Sequence, residues 1–80
     1  MNHLEFSNYH NRLCKFILED GEEVGGVIVA DRANSTLYHL IRSFNLRAYK
    51  NAEQIGDLVA CRELSETIDI ARIFEAEIIL

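Results

Sequence analysis

Residues 12–30 read RLCKFILEDGEEVGGVIVA, two β-favouring runs on either side of Asp20-Gly21. Asp-Gly supplies the positive φ that a tight hairpin needs, so residues 13–18 and 24–30 are expected to pair as antiparallel strands. Gly25-Gly26 interrupts the second run. Glycine weakens a strand interior, so a bulge or sharp bend is expected there, one that lets a long strand serve both halves of a sheet.

Turns, strands and helices can be placed on both sides of this hairpin. Residues 31–35, DRANS, form a second turn, with Asp, Asn and Ser able to cap local backbone groups. Residues 36–41, TLYHLI, follow as a third strand. Neither of its faces is cleanly polar, so it belongs in the middle of the sheet. The period then changes. Asn45 is placed to cap a helix over residues 46–55, Gly56 to end it in a left-handed conformation, and Asp57 to cap a second helix over residues 58–64. Tyr49 and Ala52 in the first helix, and Leu58, Cys61 and Leu64 in the second, recur at three-residue spacing. Residues 67–70 and 76–80 read as two further strands around a turn at 71–74, because Ile68, Ile70, Ile78 and Ile79 are β-branched. One amphipathic helix over residues 66–79 is the competing reading of that segment. The first eleven residues are polar apart from Leu4, Phe6 and Tyr9, and are expected to form a helical turn or a flexible arm.

The expected fold is thus mainly β with some helix (α+β). It is a small SH3-like or Sm-like barrel of about five strands, with a short helical insert after the third. Eighty residues make one domain, 1–80, whose core is thin. No apolar stretch approaches the roughly 20 residues needed to span a bilayer, and the N-terminal residues lack the basic start and apolar stretch of a signal peptide. A cytoplasmic protein without membrane contact is expected. Cys14 and Cys61 are too few to make a disulfide framework, and free thiols are expected in a reducing compartment.

The chain is acidic, with 13 Asp and Glu against 8 Lys and Arg and a net charge of −5. That argues against a general nucleic-acid or anionic-membrane binder. The charge is unevenly spread. Residues 24–50 hold Arg32, Arg42, Arg47 and Lys50 against Asp31 alone, whereas residues 51–80 hold two basic and seven acidic residues. Such a division can steer a partner, or another copy of the chain.

No catalytic or metal-binding pattern stands out. Glu19, Asp20, Glu22 and Glu23 bracket a turn too short to give a calcium ion its six to eight oxygens. His3, His10, His39, Cys14 and Cys61 lack the spacing of a zinc site. Cys14 with His39 is the only candidate nucleophile–base pair, and a thiol within an apolar run is expected to be inert. Neither enzymatic activity nor a cofactor is expected. The one constellation that suggests binding is residues 42–50, RSFNLRAYK, in which Arg42, Arg47 and Lys50 interleave with Phe44 and Tyr49. Cations and aromatics so mixed suit an acidic peptide, and also the phosphates and bases of a single-stranded nucleic acid.

Residues 16–34, FILEDGEEVGGVIVADRAN, resemble the first signature of the Sm-like family of small barrels. Gly21 and Gly26 keep that family's five-residue spacing, with Asp31 and Asn34 beyond. The family's second signature, a basic-glycine step before the last strand, has FEAE at residues 74–77 in its place. The resemblance implies a ring of subunits that binds single-stranded RNA, with Asp31 and Asn34 among the binding residues. The later part of the chain also resembles short bacterial proteins of similar length, which implies no function. The leading functional expectation is a non-enzymatic module that binds a protein partner or itself. Sm-like binding of single-stranded RNA is the alternative.

Overall fold

The computed structural model describes residues 1–79. Its hairpin closes where Asp20-Gly21 requires: Gly21 has φ +88°, and its N–H donates to the Leu18 carbonyl at 2.9 Å. The Glu22 amide donates to Asp20 Oδ1 at 2.9 Å, so the turn's acid caps the turn itself. Strand β1 (Cys14–Leu18) pairs antiparallel with β2 (Glu23–Ala30), Cys14 opposite Gly26 and Ile17 opposite Glu23. The second half of β2 pairs with β3 (Tyr38–Arg42), Gly26 opposite Arg42 and Ala30 opposite Tyr38. Gly26 therefore belongs to both ladders, so the long strand does serve both halves of the sheet. No bulge interrupts it. The glycine is there because a Cβ at residue 26 would lie 2.2 Å from the Ile41 carbonyl oxygen.

The bulge lies elsewhere. Strand β4 (Glu66–Ile68) pairs with β3, and after a 3-10 turn (Ile70–Arg72) strand β5 (Ile73–Ile78) returns to pair with β1. Ile17 opposes Glu75 while Leu18 opposes Ile73, which leaves Phe74 as the extra residue, 75% exposed. The C-terminal segment is thus two strands rather than one helix. Its turn is at 70–72, and β5 starts three residues earlier than the sequence suggested. The last residue of the expected strand 76–80, Leu80, lies outside the described residues.

The sheet order is β4-β3-β2-β1-β5, all antiparallel. The expected barrel is not formed, because β4 and β5 are the two edges of an open sheet. Curvature is nonetheless built in. From Ile68 to Ile73 the chain advances about 13 Å, with part of the path at the 3-10 rise, whereas the edges of a flat five-stranded sheet lie about 19 Å apart. The short connection curls the edges toward each other. It does not pair them: β4 pairs with β3 and β5 with β1, and residues 69–72 join them as a capped turn in which Asp69 Oδ1 accepts from the Ala71 amide at 2.9 Å and the Arg72 amide donates to the Asp69 carbonyl at 3.0 Å.

The inner face of this curl is the core. Cys14, Phe16, Leu18, Val24, Ile28, Leu40, Ile68, Ile70 and Ile73 all bury their side chains in one cluster. Residues 1–11 do not stand off as an arm. Asn2 caps the short helix α1 (His3–Phe6) by accepting from the Glu5 amide at 2.8 Å, and Phe6 is only 1% exposed within the core. The Met1 ammonium donates to the Ile73 carbonyl at 2.8 Å, and the Asn11 amide to Ile28 at 2.9 Å. His3 Nδ1 lies 3.0 Å from the Tyr38 hydroxyl, and His10 Nε2 accepts from the Ala30 amide at 3.2 Å.

On the outer face the helical insert covers Val27 and Ile41, which are 8% and 1% exposed. It follows β3 as expected. A 3-10 turn (Ser43–Asn45) runs straight into α2 (Leu46–Gln54), so Asn45 is already in helical geometry and its side chain makes no capping bond. Gly56, at φ +73°, ends the helix region, and Asp57 caps α3 (Leu58–Glu63) by accepting from the Ala60 amide at 3.1 Å. Tyr49 and Ala52 turn inward, with Ala52 buried, whereas Leu58 is 63% exposed. Among the described residues no helix is long and apolar enough to cross a membrane.

Candidate functional site

The 42–50 constellation divides into residues that hold the fold and residues that face water. Arg42 is paired within the fold. Its Nε and Nη2 donate to Glu66 at 2.9 and 2.8 Å, and Nη2 lies 3.4 Å from Glu22. Those carboxylates, Glu66 first, push its pKa further up, and the guanidinium fastens β3 to β4 and to the β1–β2 hairpin. Phe44 is 79% exposed at the entrance to the insert. Arg47 and Lys50 are exposed on α2, while Tyr49 is half-buried. Burial, with the charge of Glu53 adding to it, pushes the Tyr49 hydroxyl's pKa up.

Four of the chain's eight cations are tied to carboxylates: Lys15 to Glu23 and Glu77, Arg32 to Glu53, Arg42 as above, and Arg72 to Glu19 and Asp20. Among the described residues Arg12, Arg47, Lys50 and Arg62 have no such partner. The acids of the hairpin tip are thus spent on internal pairs, and no three His, Cys, Asp or Glu groups among the described residues converge as a metal site would need.

Asp31 and Asn34 are brought together, but to build their own loop. Asp31 Oδ2 accepts from the Ala33 and Asn34 amides, both at 2.9 Å, and Oδ1 lies 2.8 Å from His39 Nε2. Asn34 Oδ1 accepts from the Thr36 amide at 3.1 Å and the Thr36 hydroxyl at 2.6 Å. These bonds hold residues 31–37 as a loop and delay β3 to Tyr38. The hydrogen bond to His39, followed by those from the two amides, holds the Asp31 carboxyl below its ordinary pKa against a weaker opposing effect of desolvation. Because the folded pKa is the lower one, the stabilisation is present above the unfolded value of about 3.9. It is lost as pH falls through the folded value. Asp31→Asn is expected to lose less stability than wild type between about pH 5 and pH 2, as read from urea midpoints. Equal acid sensitivity would show that the loop bonds are not formed in solution.

Cys14 and His39 do not meet. Strand β2 separates them, and the register puts Cys14 on the inner face and His39 on the outer. Burial pushes the Cys14 thiol's pKa up, opposite to what a nucleophile requires. Both cysteines are free thiols.

The structure adds a feature that the sequence does not announce. A groove of about 460 Å³ runs between α2 and the residues that lead into β1. One wall is the α2 face made by Leu46, Tyr49, Lys50 and Glu53, at helical spacing along most of the helix. Arg12 and Leu13 are in the facing wall, and Val27, Val29 and Ile41 form an apolar floor. Arg12 escaped the sequence reading because only the tertiary fold sets it beside a helix that starts at Leu46.

No protein-family model, curated protein or solved structure matches this chain.

Proposed function

We propose that this protein is a non-enzymatic binding module that recognises an acidic protein surface, on a partner or on a second copy, through its helical insert. One observation carries the reading. In a chain of net charge −5, Arg47 and Lys50 have no carboxylate partner among the described residues and sit one turn apart on α2, close in sequence to an exposed Phe44. Exposed aromatic and arginine side chains are the residue types enriched at protein interfaces. The resemblance to Sm-like domains adds no binding residue to this reading, since Asp31 and Asn34 are engaged by their own loop. A bound RNA would have to rely on Phe44, Arg47 and Lys50 instead.

The test is retention on the immobilised protein, wild type against R47E/K50E, from a cell extract at about 50 and 500 mM salt. The reading predicts that acidic protein, or the chain itself, is held by the wild type at low salt. It should be released at high salt and not held by the variant. Retention unchanged by charge reversal contradicts the reading. Retained material with excess absorbance at 260 nm transfers it to nucleic acid, whose affinity falls steeply with salt.

A further inference from the structure

The geometry points to the groove beside α2 as the binding site for an extended peptide segment of alternating apolar and acidic residues, supplied by a partner protein. This rests on the binding-module reading above and names the chemistry of what is bound. Three features converge on it.

The first is shape. Helix α2 spans 9 residues, about 13 Å, which is the length of about four residues of extended chain. A groove that follows one helix face for that distance accepts a strand-like segment lengthwise.

The second is the floor. Val27 and Ile41 are already covered by α2, and beside them the half-buried Leu13, Val29 and Leu46 leave apolar surface that side chains on one face of an extended segment can meet. The third is the rims. Arg12 on one wall and Lys50 on the other have no carboxylate partner among the described residues. Glu53, the one acid on the walls, is already held by Arg32 at 3.0 Å. Donors without partners above an apolar floor match a segment whose side chains alternate, apolar inward and carboxylate toward the rims.

A second copy is the weaker occupant. The longer free edge of the chain, β5, carries Glu75 and Glu77, but Glu77 is tied to Lys15 and the strand is held in its own sheet.

The probe is an acetylated Leu-Glu-Ile-Glu-Leu peptide, titrated into isotopically labelled protein at about 50 mM salt, with Leu-Lys-Ile-Lys-Leu as control. Saturable amide shifts at Val27, Val29 and Tyr49 are expected with the acidic peptide only. Affinity should fall by about tenfold or more in R12E/K50E, whose substitutions are at exposed positions and leave the core intact. Shifts that persist undiminished in that variant, or that the basic peptide equally produces, overturn the assignment. Shifts confined to Phe44 and Arg47 overturn the groove but leave the binding module standing. An absence of shifts anywhere in the protein counts against both. Groove shifts on simple dilution, without peptide, replace the partner segment by a second copy.

Discussion

Gly26→Ala lowers the thermal midpoint by about 12–24 °C, the equivalent of roughly 3 kcal/mol in a domain of this size. The methyl group has nowhere to go. Its nearest neighbour is the Ile41 carbonyl oxygen at 2.2 Å, followed by the Arg42 Cα at 3.1 Å. Both are backbone atoms within the β2–β3 ladder, so relief requires moving a strand rather than rotating a side chain. The position is also the only residue of β2 whose partners include both Cys14 in β1 and Arg42 in β3. Strain there loosens the two halves of the sheet together. Gly25→Ala is the internal control: its methyl would meet only Ser43 Oγ at 3.5 Å, an ordinary contact. That change should alter stability by less than about 1 kcal/mol. Calorimetry on both variants decides, and equal midpoints would show that β2 and β3 do not approach as described.

Phe6→Ala costs about 3–5 kcal/mol. A domain of 80 residues has only about 4–12 kcal/mol in all, so the variant is expected to be partly or wholly unfolded at 37 °C. Phe6 is 1% exposed and belongs to the same cluster as Phe16, Ile28 and Leu40. It also packs edge-on against Tyr38, with ring centroids 5.1 Å apart at 73°, a geometry that contributes about 0.5–1.5 kcal/mol beyond area burial. Leu4→Ala, two residues away and 84% exposed, should be neutral within about 0.5 kcal/mol. The contrast separates a helical turn that closes the core from an arm that merely precedes it. A loss below about 1 kcal/mol for Phe6→Ala, read from urea denaturation, would restore the arm.

What the sequence reveals here is mostly what local chemistry decides. Asp20-Gly21 could be read as a hairpin, and Gly56-Asp57 as the join between two helices, because a positive φ and a side-chain cap are settled within four residues. The position of the insert after the third strand was legible for the same reason. Gly25-Gly26 marked the right place with the wrong mechanism: the glycine answers a close approach by Ile41, fifteen residues away, and no local pattern reports that. The barrel failed on a similar count. Strand β4 pairs with β3 and β5 with β1, and no local pattern in residues 66–78 reports that these two strands stay at opposite edges.

The candidate site shows the same division. Phe44, Arg47 and Lys50 could be singled out from residue type alone, and they are the members that remain exposed. Arg42 looked equivalent, yet Glu66, twenty-four residues on, neutralises it. Asp31 and Asn34 satisfied a family signature, and the same hydrogen-bonding capacity that fits them to a ligand lets them hold their own loop. Arg12 carries no signal in its own neighbourhood. It joins the site only because β1 pairs with β2, and β2 with the strand that leads into α2.

If the insert is the face that meets a partner, its exposed aromatic lies within reach of that partner. A photo-crosslinking phenylalanine analogue at residue 44, inside cells, tests this most directly, with the same analogue at residue 4 as a control on α1. The prediction is a discrete protein adduct from residue 44, absent from residue 4 and lost in the R47E/K50E background. Adducts of equal yield from both positions, adducts that charge reversal leaves unchanged, or no adduct from residue 44 would contradict it.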